Sequence, residues 1–421
     1  MDLHGHVGRA LEAGTPAGVE RVEDLIALGH HFCLSEEKAK GAGFLRIAGD
    51  RASAAYANDD AIRHYQQALA ALRAANEQKL EQLALCERIA DLCRPIGRRE
   101  TAQEHYNVAL CGYQDAGDHA AAARTMRKLG GLLWDAGRRD QAEALYTEAF
   151  ILLEDADAPI ERAHLSQERG RLAFRMGDHA GAVKWAERAI GYAETYSTDV
   201  SEEIRLEAAR AVAEALNTKG VALARLGRNV DALREIERSV AVAGAVGLQS
   251  VVCRAYTNLG VLYTVVDPAR AIAVCRRGLG VATRIGDLGF QARLYTNLAV
   301  AYCMFTERCG EEGVPAAEKA IEIDRGLDQR EHLAVPLTVL AQIHQCHDAP
   351  DLALRYYNEA LEVARETGEP QLLFPCYDGL ATLCLDRDDM EEAERYFGLA
   401  RELCDRHGLD PGALIVLPFL D

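Results

Sequence analysis

Residues 125–153 read TMRKLGGLLWDAGRRDQAEALYTEAFILL, and this stretch decides the fold. Its first run places apolar and small residues on one helical face, at Leu129, Gly130 and Leu133. Its second run does the same after Gly137, at Ala142, Tyr146 and Ala149. Two amphipathic runs that meet at a glycine, with small residues where they touch, predict a closely packed helical hairpin.

The same unit recurs along most of the chain. Its small second-helix residue returns every 39 to 42 residues, with one interval of 50, at Ala61, Ala102, Ala142, Ala182, Ala232, Ala271, Gly313, Ala353 and Ala393. Glycines keep the same period at the turns, at Gly97, Gly137, Gly177 and Gly227, and at the ends of second helices, at Gly247, Gly286, Gly326, Gly368 and Gly408. Three registers with one period predict about nine hairpins, with glycine as a left-handed cap.

Composition and charge exclude several classes of protein. Of 421 residues, 49% are hydrophobic, which argues against disorder. The 65 acidic and 47 basic residues give a net charge of −18, which argues against direct nucleic-acid binding. No signal peptide and no apolar run near the roughly 18 residues of a membrane span are found. We expect a cytoplasmic protein that does not contact membranes.

The cysteines predict no disulfide framework. There are twelve, and none forms a C-x-x-C pair. In a long helical chain, small buried apolar residues in a reducing compartment are the expected interpretation.

Two near-duplicate segments carry a family resemblance: residues 256–263 read YTNLGVLY and residues 295–302 read YTNLAVAY. With the repeat period, they resemble the first-helix signature of the tetratricopeptide repeat (TPR) over roughly residues 42–408. The unit is about 40 residues rather than 34, and the signature Trp and closing Pro are absent. The resemblance implies an all-α fold, a right-handed superhelical solenoid of helix-turn-helix repeats.

A second resemblance concerns the start of the array. Residues 49–52 and 56–61 are similar to the start of repeat regions in bacterial STAND-type ATPase regulators and adenylate-cyclase-like proteins. No G-x-x-x-x-G-K-[ST] motif is present, so no ATPase is expected in this chain. This resemblance implies a sensor or scaffold region of such a system.

The chain is predicted to have three parts. Residues 1–41 are expected to form a connector and capping helices, and residues 42–408 the repeat array. The 50-residue interval predicts an insertion near 195–208, with Ser201 capping a lengthened helix. Residues 409–421 form an apolar tail whose segment 414–420 is expected to dock on the last repeat as a cap. The alternatives are a strand that binds a partner or a second copy, and a truncation point inside a longer chain.

No catalytic chemistry is predicted. The sequence lacks G-x-S-x-G, H-E-x-x-H, a complete G-x-G-x-x-G and an EF-hand loop. His344, Cys346 and His347 are the one dense ligand-like cluster, and a solvent-exposed helix end is the favoured interpretation of them. We therefore expect no enzyme activity, no metal and no cofactor.

A TPR array offers a groove lined by its first helices. The outer positions of those helices include Arg124, Arg127, Trp134, Arg171, Phe174, Arg175, Asn217, Arg225, Arg254, Thr257, Arg293 and Thr296. Such arginines would attract an acidic peptide or a carboxylate terminus, and Trp134 and Phe174 would add apolar anchors. The alternative is that the arginines pair with neighbouring glutamates.

Asn258 and Asn297 occupy matching places in the two near-duplicate segments. In related peptide-binding repeats an Asn at this place is held toward the ligand backbone, because an amide both donates and accepts. The alternative is a helix-to-helix hydrogen bond inside the stack.

The sequence thus favours a non-catalytic scaffold for a protein or peptide partner in a bacterial signalling or regulatory system. The alternative is a ligand-sensing regulatory region of a STAND-type ATPase or an adenylate-cyclase-like protein.

Overall fold

The computed structural model describes residues 2–14, 21–55, 57–154, 156–195, 201–305, 308–327, 332–407 and 419–420, without the side chains of residues 265, 304, 305 and 367. These residues contain twenty α-helices and no strand. The chain divides into two compact units, residues 1–168 and 169–421, and the boundary falls inside one helix.

In the residues described, the regular secondary structure of the first unit is helical throughout. Its helices are α1 (Leu3–Gly14), α2 (Val22–Cys33), α3 (Lys38–Ala54), α4 (Asn58–Ala75), α5 (Lys79–Cys93), α6 (Arg99–Ala116), α7 (His119–Asp135) and α8 (Arg139–Leu152). The boundary helix is α9 (Pro159–Arg175). The expected limit of the N-terminal part at residue 41 falls inside α3.

The second unit continues the pattern, with one π-helical turn at Cys309–Gly313. Its helices are α10 (His179–Glu194), α11 (Glu202–Arg225), α12 (Asn229–Ala245), α13 (Gln249–Val266), α14 (Pro268–Arg284), α15 (Leu288–Phe305), α16 (Val314–Gly326), α17 (Ala334–Cys346), α18 (Pro350–Thr367), α19 (Pro370–Asp386) and α20 (Met390–His407). Within each unit most consecutive helices pack on each other, as α7 does on α8 and α13 on α14, and in the second unit first helices also pack on each other, as α11 does on α13 and α13 on α15. The predicted all-α repeat fold is confirmed.

The repeated small residues let the two helices of a hairpin approach closely. Ala142 and Ala182 are fully buried, as the hairpin prediction requires. On the facing helix, a Cβ added at Gly130 would lie 2.7 Å from Cε1 of Tyr146. The tyrosine therefore fills the space that the missing glycine side chain leaves, and this contact fixes the register of α7 on α8.

The turn glycines adopt the predicted left-handed backbone. Gly137 has a φ of 76°, and the same conformation occurs at Gly97, Gly177, Gly227, Gly247, Gly286 and Gly368. The prediction is wrong at Gly326, which is the last residue of α16 and is followed by Leu327 with a φ of −91°. Gly408 lies outside the described residues.

The insertion lengthens a first helix, as predicted. Helix α11 has 24 residues, and the hydroxyl of Ser201 accepts from the N–H of Ile204 at 3.3 Å. The Ser201 cap is therefore confirmed, whereas residues 196–200 of the insertion lie outside the described part. Of the tail, residues 409–418 and 421 also lie outside it.

No disulfide joins any of the twelve cysteines. Among the helices that the structure describes, none combines the length and the apolar character that a bilayer crossing needs.

Candidate functional site

One asparagine is buried on each of three successive first helices of the second unit. Asn217 lies on α11, Asn258 on α13 and Asn297 on α15, and their exposed fractions are 1%, 0% and 3%. A buried side-chain amide needs hydrogen-bond partners, so the partners of these three asparagines show which groups are bound at this place in the second unit.

Asn258 pairs with the main chain of Leu420. Its Nδ2 donates to the Leu420 carbonyl oxygen at 2.6 Å, and its Oδ1 accepts from the Leu420 N–H at 2.7 Å. The same Nδ2 donates to Oδ1 of Asn217 at 3.0 Å, and Nδ2 of Asn217 donates to the Leu420 carbonyl at 3.1 Å. Two asparagines from adjacent hairpins thus hold both polar groups of one residue in a distant segment.

Asn297 makes the other kind of contact considered from the sequence. Its Nδ2 donates to the main-chain carbonyl of Thr257 at 2.9 Å, which links α15 to α13 inside the stack. The hydroxyls of Thr257 and Thr296 are turned to their own helices, to the carbonyls of Cys253 and Ala292. Matching places in the repeat therefore serve two different purposes.

An aromatic contact lies beside the two asparagines. The ring of Phe419 is 7% exposed and joins the apolar core of the second unit. The guanidinium carbon of Arg225, at the end of α11, lies 5.2 Å from the ring centroid, which is cation–π distance. Burial lowers the pKa of Arg225. We call Asn217, Asn258 and Arg225 the asparagine site.

The arginines predicted in the first unit are paired with carboxylates. Arg124 donates from Nε and Nη2 to the two oxygens of Glu87, at 2.8 and 2.9 Å. Its Nη1 lies 3.8 Å from Glu161, and Nη2 of Arg127 lies 3.8 Å from the same carboxylate. Nζ of Lys128 lies 2.7 Å from Glu87. For Arg124 and Arg127 the structure therefore gives the alternative considered above, pairing with neighbouring glutamates.

The charges in this cluster depend on one another. Burial by itself raises the pKa of Glu87, but hydrogen bonds and charge from Arg124 and Lys128 outweigh it and bring the pKa to about 2. Burial likewise lowers the pKa of Arg124, and Glu87 more than offsets that and raises it. Nζ of Lys128 also lies 2.6 Å from Asp91, so the cluster, which joins α5, α7 and α9, holds three basic and three acidic side chains.

The remaining predicted groove residues are also engaged within the chain. The Trp134 side chain is buried, and the guanidinium of Arg139 lies 5.3 Å from its ring. Phe174 packs on the apolar core and lies 5.2 Å from the ring of His179. Nη2 of Arg293 lies 2.9 Å from Nε2 of His332. Interactions within the chain also engage Arg171, Arg175 and Arg254.

Sequence reasoning missed the segment that the asparagines hold. The tail is predicted to cap the last repeat, and this is wrong for Phe419 and Leu420, which lie on α11 and α13, because no periodic signal links them to those helices. Asn217 is among the predicted groove residues, but the repeat register aligns it with Thr257 rather than with Asn258, so the period does not predict its pairing with Asn258. Helix packing supplies the rest.

Within the described part of the chain, no group of three or more His, Cys, Asp or Glu side chains is arranged to hold a metal ion. His344 stacks on Tyr356 at 5.4 Å, and Nε2 of His347 lies 2.8 Å from Sγ of Cys309.

No protein-family model and no curated protein matches this chain. Several solved structures are similar to it. A STAND protein with a tetratricopeptide repeat sensor from Pyrococcus horikoshii matches with a TM-score of 0.57 and 12% identity, over 82% of this chain and 53% of that one. This chain spans about half of that protein.

Two similar structures contain a bound partner. One is a Rap protein complexed with competence and sporulation factor, with a TM-score of 0.56, 14% identity, and coverage of 87% of this chain and 98% of that one. The other is the Rap conjugation gene regulator of the plasmid pLS20 in complex with the Phr* peptide, with a TM-score of 0.53, 15% identity, and coverage of 91% and 95%. At these identities the likeness defines the fold alone, that of TPR-type helical-repeat proteins, as predicted.

Proposed function

We propose that this chain is a non-catalytic peptide-binding scaffold whose asparagine site holds the main chain of an extended segment. The observation that carries the proposal is the two-point pairing of Asn258 with the N–H and carbonyl of Leu420, at 2.7 and 2.6 Å. A side-chain amide that hydrogen-bonds to both the N–H and the carbonyl of one residue recognises the main chain of a peptide rather than its side chains. Such a site accepts many sequences.

The surroundings strengthen these contacts. Both asparagines are buried, so their hydrogen bonds form away from competing water and each is costly to leave unmade. Arg225 lies against an aromatic ring, which favours a ligand with an aromatic residue directly before the paired one. The ligand class is therefore an extended peptide with an aromatic–aliphatic pair.

The similar structures support this proposal at the level of the fold. One of them, the Rap regulator of the plasmid pLS20, is in complex with the Phr* peptide. A role in bacterial signalling and a cytoplasmic location stay predictions from the sequence.

A peptide array tests the proposal. Random peptides are probed with the full chain, with a chain that ends at residue 418, and with the Asn217→Ala/Asn258→Ala double variant of each. We expect peptides that bind in the micromolar range and lose at least tenfold in affinity in the double variants, since two buried donors are removed. Asn297→Ala is the matched control and should retain binding. If neither chain selects any peptide, the proposed function is wrong.

The preference for an acidic partner stays a separate prediction. Arg124 and Arg127 are paired with carboxylates, and Arg171 and Arg175 are also engaged within the chain, so an acidic peptide would have to compete with those interactions. Charge reversal at Arg171 and Arg175 should weaken binding of acidic array peptides selectively. Equal binding of acidic and neutral peptides by this variant and the parent would remove the acidic preference and leave peptide binding in place.

The alternative, a ligand-sensing regulatory region, has one structural feature in its favour. An open depression of about 760 Å³ in the first unit is lined mainly by apolar side chains of α2–α4, with His30 and His31 among them. A small molecule retained by the purified chain in native mass spectrometry would favour this alternative. A mass equal to that of the polypeptide would count against it.

A further inference from the structure

The segment Phe419–Leu420 occupies the asparagine site in the way that a bound peptide would. It meets α11 and α13 from 203 and 162 residues away along the chain. It offers one N–H, one carbonyl and one aromatic ring, and each has a partner there: Asn258 for the N–H, Asn217 with Asn258 for the carbonyl, and Arg225 for the ring.

We propose that Phe419–Leu420 is a tethered competitor, a piece of this chain that fills the peptide site until an incoming peptide displaces it. The proposal rests on the proposed function and adds its regulation. It also names the ligand chemistry, because a peptide that displaces the segment must supply the same two main-chain groups and an apolar, preferably aromatic, neighbour.

Tethering gives a weak contact a large effect. A covalently linked ligand acts at an effective concentration on the order of millimolar. A segment whose intrinsic dissociation constant is about 10–100 μM would then fill the site roughly 90–99% of the time, and the apparent affinity of a free peptide would fall about ten- to hundredfold. The hydrogen bonds of two side-chain amides and the burial of one aromatic ring together supply a binding free energy in the range of such a moderate affinity.

A matched pair of substitutions at one position separates the tether from the side chain. Leu420→Pro removes the N–H that donates a hydrogen bond to Oδ1 of Asn258, because proline has no amide hydrogen. Leu420→Ala keeps the whole main chain and shortens only the side chain. The two variants therefore differ in the interaction that the proposal depends on.

The probe is a synthetic peptide with the sequence of residues 412–421 and a fluorophore at its N-terminus, measured by fluorescence anisotropy. We expect Leu420→Pro to bind it ten- to hundredfold more tightly than the parent chain, and Leu420→Ala to stay within about threefold of the parent. Adding Asn258→Ala to Leu420→Pro should abolish the gain. Thermal melts of every variant verify folding. A chain that ends at residue 418 replaces Leu420→Pro if that variant does not fold.

The outcomes that contradict the proposal are distinct from those that contradict the proposed function. Equal affinity of the parent and Leu420→Pro, or no binding of the probe to any chain, overturns tethered competition. Array peptides that bind in an Asn258-dependent manner would still support peptide binding in either case. A doubled mass in light scattering that reverts to monomer in Leu420→Pro would place the segment in the site of a second copy, which also overturns the intramolecular form.

Discussion

Asn258 and Leu420 are joined by two hydrogen bonds across 162 residues of sequence: Nδ2 donates to the Leu420 carbonyl at 2.6 Å, and Oδ1 accepts from the Leu420 N–H at 2.7 Å. An amide that satisfies both polar groups of one residue forms the pairing that neighbouring β-strands use. The helical scaffold has no strand edge in its described part, and it provides that pairing from a side chain instead.

The first prediction concerns the exchange of the Leu420 amide hydrogen. Because the N–H is bonded to a fully buried Oδ1, Asn258→Ala should accelerate its exchange about tenfold or more. Hydrogen-exchange mass spectrometry of the C-terminal peptic fragment measures this. Asn297→Ala is the control, since Asn297 bonds Thr257 and not the segment. Equal acceleration in both variants would show that the effect is a general loosening of the stack.

The second prediction concerns the close approach of α7 and α8. Gly130→Ala places a methyl group 2.7 Å from Cε1 of Tyr146, and it should lower the free energy of unfolding by about 1–3 kcal/mol through overpacking. Gly43→Ala is the matched control in the same unit, because nothing lies within 4 Å of its added Cβ. That change should be neutral or stabilise by up to about 1 kcal/mol through helix propensity.

Urea unfolding of the two glycine variants beside the parent measures both free energies. Two variants of equal stability would mean that the tyrosine ring moves aside at little cost, and that the Gly130–Tyr146 contact does not fix the hairpin register.

The third prediction uses the cysteines. Cys111 and Cys346 are exposed, and they should react with a thiol reagent within minutes in the folded chain. Burial raises the pKa of Cys253 and of Cys376 to about 11, so little of either thiol is in the reactive thiolate form. Both are also buried and out of reach of the reagent. They should react only after denaturation. Labelling followed by peptide mapping reads each site separately, and rapid native labelling of Cys253 or Cys376 would contradict the packing described here.

Much of the fold could be predicted because each repeat carries the same residue pattern and therefore forms the same helix–helix contact. The pairing of Gly130 with Tyr146 follows from a small residue on one helical face and a large one on the next, and the 40-residue period repeats that rule. The failure at Gly326 is local. A helix C-terminus can end in a right-handed turn without a glycine cap, and the sequence spacing is the same in either case.

The site was less accessible to sequence reasoning because it joins features with no common period. The repeat period places Asn217 on α11 and Asn258 on α13 at adjacent rather than matching positions, so it predicts neighbouring helices but not the pairing of these two side chains. The contact of Leu420 with them could not be predicted, because a segment outside the repeats has no register. The pairing of Arg124 with Glu87 belongs to the same class, because whether an arginine bonds to a partner or to solvent depends on the stacking of α5 against α7.

The fourth prediction concerns that pairing and its dependence on pH. The pKa of Glu87 is about 2 in the folded chain, below the ordinary value of 4.5. Between these two values the unfolded state binds more protons than the folded state, so the contribution of Glu87 to stability is complete above pH 4.5 and is lost as the pH falls toward 2. Glu87→Gln should therefore lower the free energy of unfolding at pH 7 by about 2–3 kcal/mol and by much less near pH 2.5.

Urea unfolding of the parent and of Glu87→Gln at several pH values between 2.5 and 7 tests the sign as well as the size. Asp60→Asn is the control: its partner Arg63 is exposed, so the substitution should change stability by less than about 0.5 kcal/mol at every pH. The gap between the parent and Glu87→Gln should narrow as the pH falls, because the carboxyl of Glu87 takes up a proton in the unfolded parent whereas the glutamine has no proton to take up. A gap that stays constant would mean that the substitution acts through packing, and that the carboxylate of Glu87 is not what holds α5 to α7.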